Sequence, residues 1–440
     1  MNRRMLICAF TGFASGLPFF IILQLIPAWL RVEQVSLKDI GFFALVQTPY
    51  LFKFLWAPFL DRYSLPFLGR RRGWMLLTQV MLLISVAYLG GYRPDQNLAE
   101  IMWLSGLVAL FSATQDIVLD AYRRELLPDL ELGLGNQIHV QTYRIAGLIP
   151  GTLGLILADH LSWDLVFLIV ALFMLVGIAM TLAISEAVAC PKHPRTLVEA
   201  LRAPLSEFVE RKGVSGALLV LLFLFAYKLG DSMATALSTP FYIDLGFSLT
   251  EIGLIAKNAA LWPSVIGGLL GGLLMLKIGI NKALWIFGGV QLVTILGFAL
   301  LAKIGSDPLA LAVVISLEYL GVGLGAAAFV AFIARESSPA LAATQIALFT
   351  AITALPRTLA STLTGFLVEG GDPALMEGAT AIVMRGLMLL GLPQSGLGWS
   401  GFFYLCTLLA LPGMCLLHWV APFSAGVGEG DSADPAPGRH

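Results

Sequence analysis

Twelve runs of about twenty apolar residues organise this chain. They fall at roughly 5–29, 38–60, 73–92, 101–122, 135–158, 164–184, 214–238, 250–276, 283–302, 308–333, 341–368 and 399–421. A helix of that length rises about 30 Å, the thickness of a bilayer's hydrocarbon core. Only 12% of residues are charged, against about 25% in soluble domains. The pattern predicts an all-α integral membrane protein with twelve transmembrane helices in two six-helix bundles. The first run follows Met-Asn-Arg-Arg and continues to Trp29, longer than a signal peptide's apolar core, so it reads as an uncleaved first helix. A charged link, Glu186 to Gly213, contains Pro191, Pro194 and Pro204 and an amphipathic stretch from Thr196 to Val209. The expected units are an N-terminal bundle (1–185), a linker with a surface helix (186–213) and a C-terminal bundle (214–421). A small, acidic tail (422–440) is expected to be disordered. Cys8, Cys190, Cys406 and Cys415 have neither metal-ligand nor disulfide spacing, and no cofactor or metal is expected.

Loop charges give an orientation. The N-terminus, even-numbered loops and tail hold seventeen Lys and Arg, the odd-numbered loops only five (Arg31, Lys38, Arg93, Lys303 and Arg385). The positive-inside rule puts both termini in the cytoplasm. The two halves also echo one another. Ser36-Leu37-Lys38-Asp39 opens helix 2 and Ser248-Leu249-Thr250-Glu251 opens helix 8, each with the pattern of a capping box. Arg124-Glu125-x-x-Pro128 near the end of helix 4 matches Arg335-Glu336-x-x-Pro339 near the end of helix 10. Offsets of 212 and 211 imply an internal duplication. Gly267, Gly268, Gly271 and Gly272 form two overlapping G-x-x-x-G pairs suited to close packing of helix 8.

The charges left inside the spans point to function, because each costs about 3 kcal/mol at the bilayer centre unless it meets water or a partner. The cations are Lys53, Arg144, Lys228, Lys257 and Arg357, and the acids are Asp116, Asp120, Asp231 and Glu318. Asp116 and Asp120 share a face of helix 4 and are candidates for carrying protons, as are Glu318 and Asp231. Lys228 and Asp231, three apart, are spaced for a structural ion pair. Lys53, Arg144, Lys257 and Arg357 lie on helices 2, 5, 8 and 11, which line the central cavity of a twelve-helix rocker. A cationic cavity suits an anionic substrate. Gln47, Tyr50, Gln115, Tyr143, Asn258 and Trp262 neighbour these charges and fit a large hydroxylated ligand. No H-E-x-x-H, nucleophile elbow or P-loop is present, so an enzyme is not expected.

Between helices 2 and 3, Asp61 and Arg62 are followed by Arg70, Arg71 and Arg72. These five residues are the expected cytoplasmic gate, pairing with helix ends of the neighbouring bundle. A loop of the form D-R-x…G-R-R is what major-facilitator transporters carry at this place, although here the G-R-R is delayed. With GFASGLPF (Gly12–Phe19), LKDIGFF (Leu37–Phe43), YLFKFLWAPFLDRY, SATQDIVLDAY (Ser112–Tyr122) and YKLGD (Tyr227–Asp231), the chain resembles the AmpG-type muropeptide permeases. These are a major-facilitator branch related to acetyl-CoA transporters. The resemblance implies proton-driven import of N-acetylglucosaminyl-1,6-anhydro-N-acetylmuramyl peptides from periplasm to cytoplasm. It also implies an inner-membrane protein of peptidoglycan recycling, linked to β-lactamase induction. No basic cluster beyond the loops suggests a nucleic-acid partner, and a monomer is expected. Another anionic cargo, an acyl-CoA or an organic anion, is the alternative on the same fold. The segment 370–398, with an interfacial helix at Ala374–Leu390 expected on the periplasmic side, departs from the family, as does the lack of the extra C-terminal helices of some relatives.

Overall fold

The computed structural model describes residues 2–65, 68–186, 197–338, 342–376 and 378–423, and contains helices and turns with no strand among them. Nine of the described helical stretches are long and apolar enough to cross a membrane. One of these, Leu249–Ile304, holds two spans, because Gly279 (φ 77°, ψ 165°) breaks the helix. Two further spans, 37–62 and 129–158, are assembled from short pieces. In 37–62, α-helical segments alternate with 3₁₀ turns at Ala44–Gln47 and Lys53–Leu55, and Pro49 and Pro58 open the segments that follow, since proline suits a helix's first turn but not its interior. In 129–158 a π turn at Ile149–Leu153 divides the helix. Twelve spans result, numbered α1 (Arg3–Val32), α2 (37–62), α3 (Arg70–Leu89), α4 (Leu98–Leu126), α5 (129–158), α6 (Trp163–Ala183), α7 (214–244), α8 (249–278), α9 (280–304), α10 (Pro308–Glu336), α11 (342–369) and α12 (Gly398–Val420).

Glycine sets the closest approaches. A side chain at Gly12 or Gly16 of α1 would collide with the α5 backbone at His139 and Tyr143, so these glycines seat α5 directly on α1. At Gly267 and Gly271 a side chain would meet the α10 backbone at Leu320 and Leu324, while Gly272 faces open space. Of the two G-x-x-x-G pairs expected to pack α8, only Gly267/Gly271 does so. Ahead of α7, the helix from Leu197 ends at Gly213 (φ 72°, ψ 160°), where the chain turns sharply. Phe208 of that helix is buried against Phe349 of α11, and Lys212 pairs with Glu336 of α10 at 2.7 Å. Between α11 and α12 a helix at Gly378–Leu389 leaves Ile382 and Leu389 exposed. The linker residues 187–196 and the tail from 424 lie outside the described residues.

The described hydrogen bonds and ion pairs that join the halves all lie toward one end of the molecule, the end opposite the arginine loop. Arg31 at the end of α1 pairs with Asp244 of α7 at 2.5 Å and with Glu369 of α11 at 3.5 Å. Glu369 also accepts from the backbone N–H of Leu37, the first residue of α2, at 2.9 Å. Asp159, at the end of α5, accepts from Thr250 in the first turn of α8 at 2.7 Å. One turn further in, Thr152 donates to the Gly253 carbonyl at 3.0 Å. Helix N-termini carry unpaired N–H groups and partial positive charge, so each carboxylate fastens one half onto the other. The two serine caps differ. Ser248 and Glu251 form the full reciprocal box. At the other, Ser36 accepts from Asp39 N–H and donates to its carboxylate, but the shorter aspartate makes no return bond to the Ser36 N–H.

Candidate functional site

Between the halves lies a cavity of about 370 Å³, walled by α1 and α5 on one side and by α7, α8, α10 and α11 on the other. Three cations reach its wall: Arg144, Lys257 and Arg357. Arg144 is placed by the α1–α5 glycine contact, being the next residue after Tyr143. Among the described residues it has neither a hydrogen-bond nor an ion-pair partner. Lys257 follows a π turn at Ile252–Ala256, which rotates the helix by the one extra residue that such turns insert. Its Nζ donates to Thr239 at 2.6 Å. The Arg357 guanidinium has a single long bond to Thr235, 3.4 Å. Asp231 also lines the cavity, but Lys228 holds it at 3.3 Å, the structural pair that the spacing implied. The wall is therefore cationic and contains hydroxyls of Thr235, Ser238, Thr239, Tyr242 and Tyr319. Such a surface binds an anion and offers hydrogen bonds to a hydroxylated body.

The other expected binding residues are elsewhere. Lys53 does not reach the cavity: α2 is not part of its wall, and the ammonium faces Asp116 of α4 at 3.6 Å. Asp116 also accepts from Ser15 of α1 at 2.5 Å and is buried. Tyr50 packs edge-on against Phe19, and Tyr143 rests on Phe19 and Phe20, both behind the wall. Gln115 is buried and donates to the Ala14 carbonyl at 2.8 Å, joining α4 to α1. Gln47 is half-buried on α2 and is likewise outside the wall. Asn258 bonds back to Leu254 of its own helix, and Trp262 is exposed. Both project away from the α8 face that carries Lys257, Leu261 and Ser264 into the cavity, since they lie off that face in a 3.6-residue repeat.

Among the acids, Asp120 is paired with Arg123 at 2.9 Å and is half exposed, so it does not share its partners with Asp116. Glu318 is fully buried on α10, with no hydrogen-bond partner for either oxygen. His139 bonds Thr11 at the α1–α5 contact.

In this conformation the described contacts of the arginine loop lie within its own half. Arg70 and Arg71 both reach Glu125 of α4, at 2.7 and 2.8 Å. Arg72 donates to the Thr181 and Leu182 carbonyls at the end of α6, and Glu186 accepts from the Arg71 and Arg72 backbone N–H groups, capping α3. These partners belong to the same half, not the neighbouring one. The side chains of Asp61 and Arg62 lie outside the described residues. The charged contacts that do bridge the halves involve Arg31, which the sequence placed among the loop cations, and Asp159, Asp244 and Glu369, which the sequence did not single out.

The cavity wall also holds Gln24, Tyr242 and Tyr319, which the sequence did not single out, although Tyr319 adjoins Glu318. A polar residue in mid-span, such as Gln24, is the signal that would have found the first of them.

Comparison with known proteins accounts for this architecture. Residues 6–361 match the model of the Major Facilitator Superfamily. A protein of Haemophilus influenzae is 50% identical over 430 residues, covering 96% of this chain and 95% of its own. The anhydromuropeptide permease of Escherichia coli is 37% identical over 408 residues, covering 92% of this chain and 77% of its own. The crystal structure of a D-xylose–proton symporter, at 11% identity, superposes with a TM-score of 0.69 over 96% of this chain and 98% of its own, a likeness of fold. The chain belongs to the Major Facilitator Superfamily, in the branch of the anhydromuropeptide permeases, and is a multi-pass membrane transporter, not an enzyme.

Proposed function

We propose that the protein imports anhydro-muropeptides from the periplasm to the cytoplasm across the inner membrane, driven by protons. The observation that carries the reading is 37% identity to the Escherichia coli permease over 92% of the chain. The three cations on the cavity wall support it, because a sugar bearing a peptide presents both carboxylates and many hydroxyls. Under the positive-inside orientation the arginine loop is cytoplasmic and the Arg31 end periplasmic. With the halves joined at the Arg31 end, the conformation is then the cytoplasm-facing one. Arg144, Lys257 and Arg357 bind the ligand's anionic groups. Asp116 carries the proton: its carboxylate is held by Lys53 and Ser15, and protonation removes the charge that attracts Lys53 of α2 and weakens the bond from Ser15 of α1.

The test is uptake of labelled anhydro-disaccharide peptide into proteoliposomes. Accumulation that requires an inward proton gradient is the expected result. If folded protein takes up an acyl-CoA or another organic anion but not the muropeptide, the cargo assignment is wrong. Equal accumulation with and without the gradient would remove the proton coupling.

A further inference from the structure

Arg144 and Arg357 stand 213 residues apart, the spacing of the internal duplication. The serine caps lie 212 apart, the Arg-Glu-x-x-Pro segments 211, and the carboxylates Asp159 and Glu369, which fasten the halves, 210. The two arginines thus stand at roughly corresponding places on α5 and α11, and both reach the wall of one cavity from opposite halves. Neither is neutralised by a carboxylate among the described residues, and the cavity's own Asp231 is occupied by Lys228.

We propose that Arg144 and Arg357 form one clamp across the two halves, closed by a single carboxylate of the ligand that bridges them. The inference rests on the transport reading above and specifies which group of the cargo the site requires. Two unpaired guanidinium groups repel, and the repulsion grows as the halves swing together over the cavity in a poorly solvated space. A carboxylate has two oxygens and accepts from two arginines at once. Bound between them, it turns the repulsion into two charge-assisted hydrogen bonds, so the halves close more readily on a loaded cavity than on an empty one. Lys257, already bonded to Thr239 and without a charged counterpart at the equivalent Leu45 of α2, contributes charge to the wall but is not a jaw of the clamp. A ligand with its carboxylates converted to amides keeps its sugars and shape but loses the bridge.

Two measurements test this. In the first, counterflow into proteoliposomes compares labelled anhydro-disaccharide peptide with its fully carboxamidated form. Wild type should favour the carboxylate ligand by about 10- to 100-fold, the size expected for losing hydrogen bonds to a charged group. Arg144→Gln and Arg357→Gln should each remove that preference. The double variant should be little worse than either single one, because one anion serves both. Equal transport of the two ligands by wild type, or two independent losses that multiply in the double variant, would overturn the clamp. Failure of wild type to move either ligand would instead sink the cargo reading.

The second measurement needs no ligand. Spin labels at exposed positions 137 in α5 and 350 in α11 report the distance between halves in the empty protein. Arg144→Gln and Arg357→Gln should each increase the population of short distances severalfold by relieving the repulsion, and Lys257→Gln should do so less. Distance distributions identical to wild type would refute the repulsion on which the clamp depends.

Discussion

Neutralising Glu369 should open the end of the molecule at which the halves are fastened, and the effect can be sized from its contacts. Its carboxylate accepts from the Leu37 N–H at 2.9 Å and faces Arg31 at 3.5 Å, with a quarter of the side chain exposed. In Glu369→Gln an amide oxygen still accepts from Leu37, so what is lost is the charge. Charge-assisted hydrogen bonds are about twice as strong as neutral ones, which makes that loss about 1 kcal/mol. The partly exposed ion pair with Arg31 adds up to about 1 kcal/mol. A total near 2 kcal/mol corresponds to about a 30-fold shift in the ratio of fastened to opened molecules. The duplicated partner, Asp159, has the same role toward Thr250 but is exposed and has no arginine, so Asp159→Asn should shift the ratio only about twofold. Spin labels at positions 96 and 306, exposed loop residues of the two halves at this end, give the distance distribution. The order Glu369→Gln, then Asp159→Asn, then the exposed control Glu33→Gln is the expected result. A Glu369→Gln distribution indistinguishable from the control would refute the reasoning, and equal shifts for Glu369 and Asp159 would show that Arg31 contributes nothing.

Glu125→Gln should destabilise the protein by about 1.5–3 kcal/mol, the size of hydrogen bonds to a charged group, since Glu125 accepts from both Arg70 and Arg71; thermal unfolding in detergent measures it. A transport defect at unchanged Tm would support the gate role expected of the arginine loop. Gly16→Leu should force α5 away from α1 at Tyr143 and lower the Tm by an amount equivalent to about 1–3 kcal/mol. Substrate binding should weaken with it through the displaced Arg144, whereas Gly272→Leu, in open space, should leave both unchanged. Asp116→Asn should abolish gradient-driven accumulation in proteoliposomes while leaving counterflow intact, and accumulation at the wild-type level would exclude Asp116 as the proton carrier.

Span number and fold were legible in the sequence because crossing a bilayer demands length and apolarity, which are local properties. The ion pair of Lys228 with Asp231 was legible for the same reason, being one helical turn. Lys53 was misread because its partner is not local. A lysine in mid-span must meet water or an acid, and the sequence offers no way to choose between the cavity and Asp116 of α4. The same ambiguity misplaced Asn258 and Trp262, since helix rotation ahead of them depends on the π turn at Ile252–Ala256, which the apolar pattern does not reveal. Arg31, Asp244 and Glu369 were hidden by their position, because charges at span ends are ordinary and their pairing exists only once the halves meet.

The duplication separates two kinds of residue. Those with a charged or capping counterpart about 212 positions away, namely Ser36 with Ser248, Arg124 with Arg335, Arg144 with Arg357 and Asp159 with Glu369, lie at helix ends or on the cavity wall. A rocking pair of halves needs matched fastenings on both sides of its axis, so these positions keep the same chemistry in each repeat. Buried acids and their lysines have no such counterpart: 212 positions from Lys53, Asp116, Asp231, Lys257 and Glu318 stand Val265, Ala328, Phe19, Leu45 and Gly106. Rocking alone is symmetric and moves cargo in either direction, down its gradient. Coupling that motion to a proton requires one titrating group whose partners change with the state, and a second copy related by symmetry would tend to undo the first. Under the proposed proton coupling, the pair of Lys53 and Asp116, confined to one half and bonded to both α2 and α1, supplies that asymmetry.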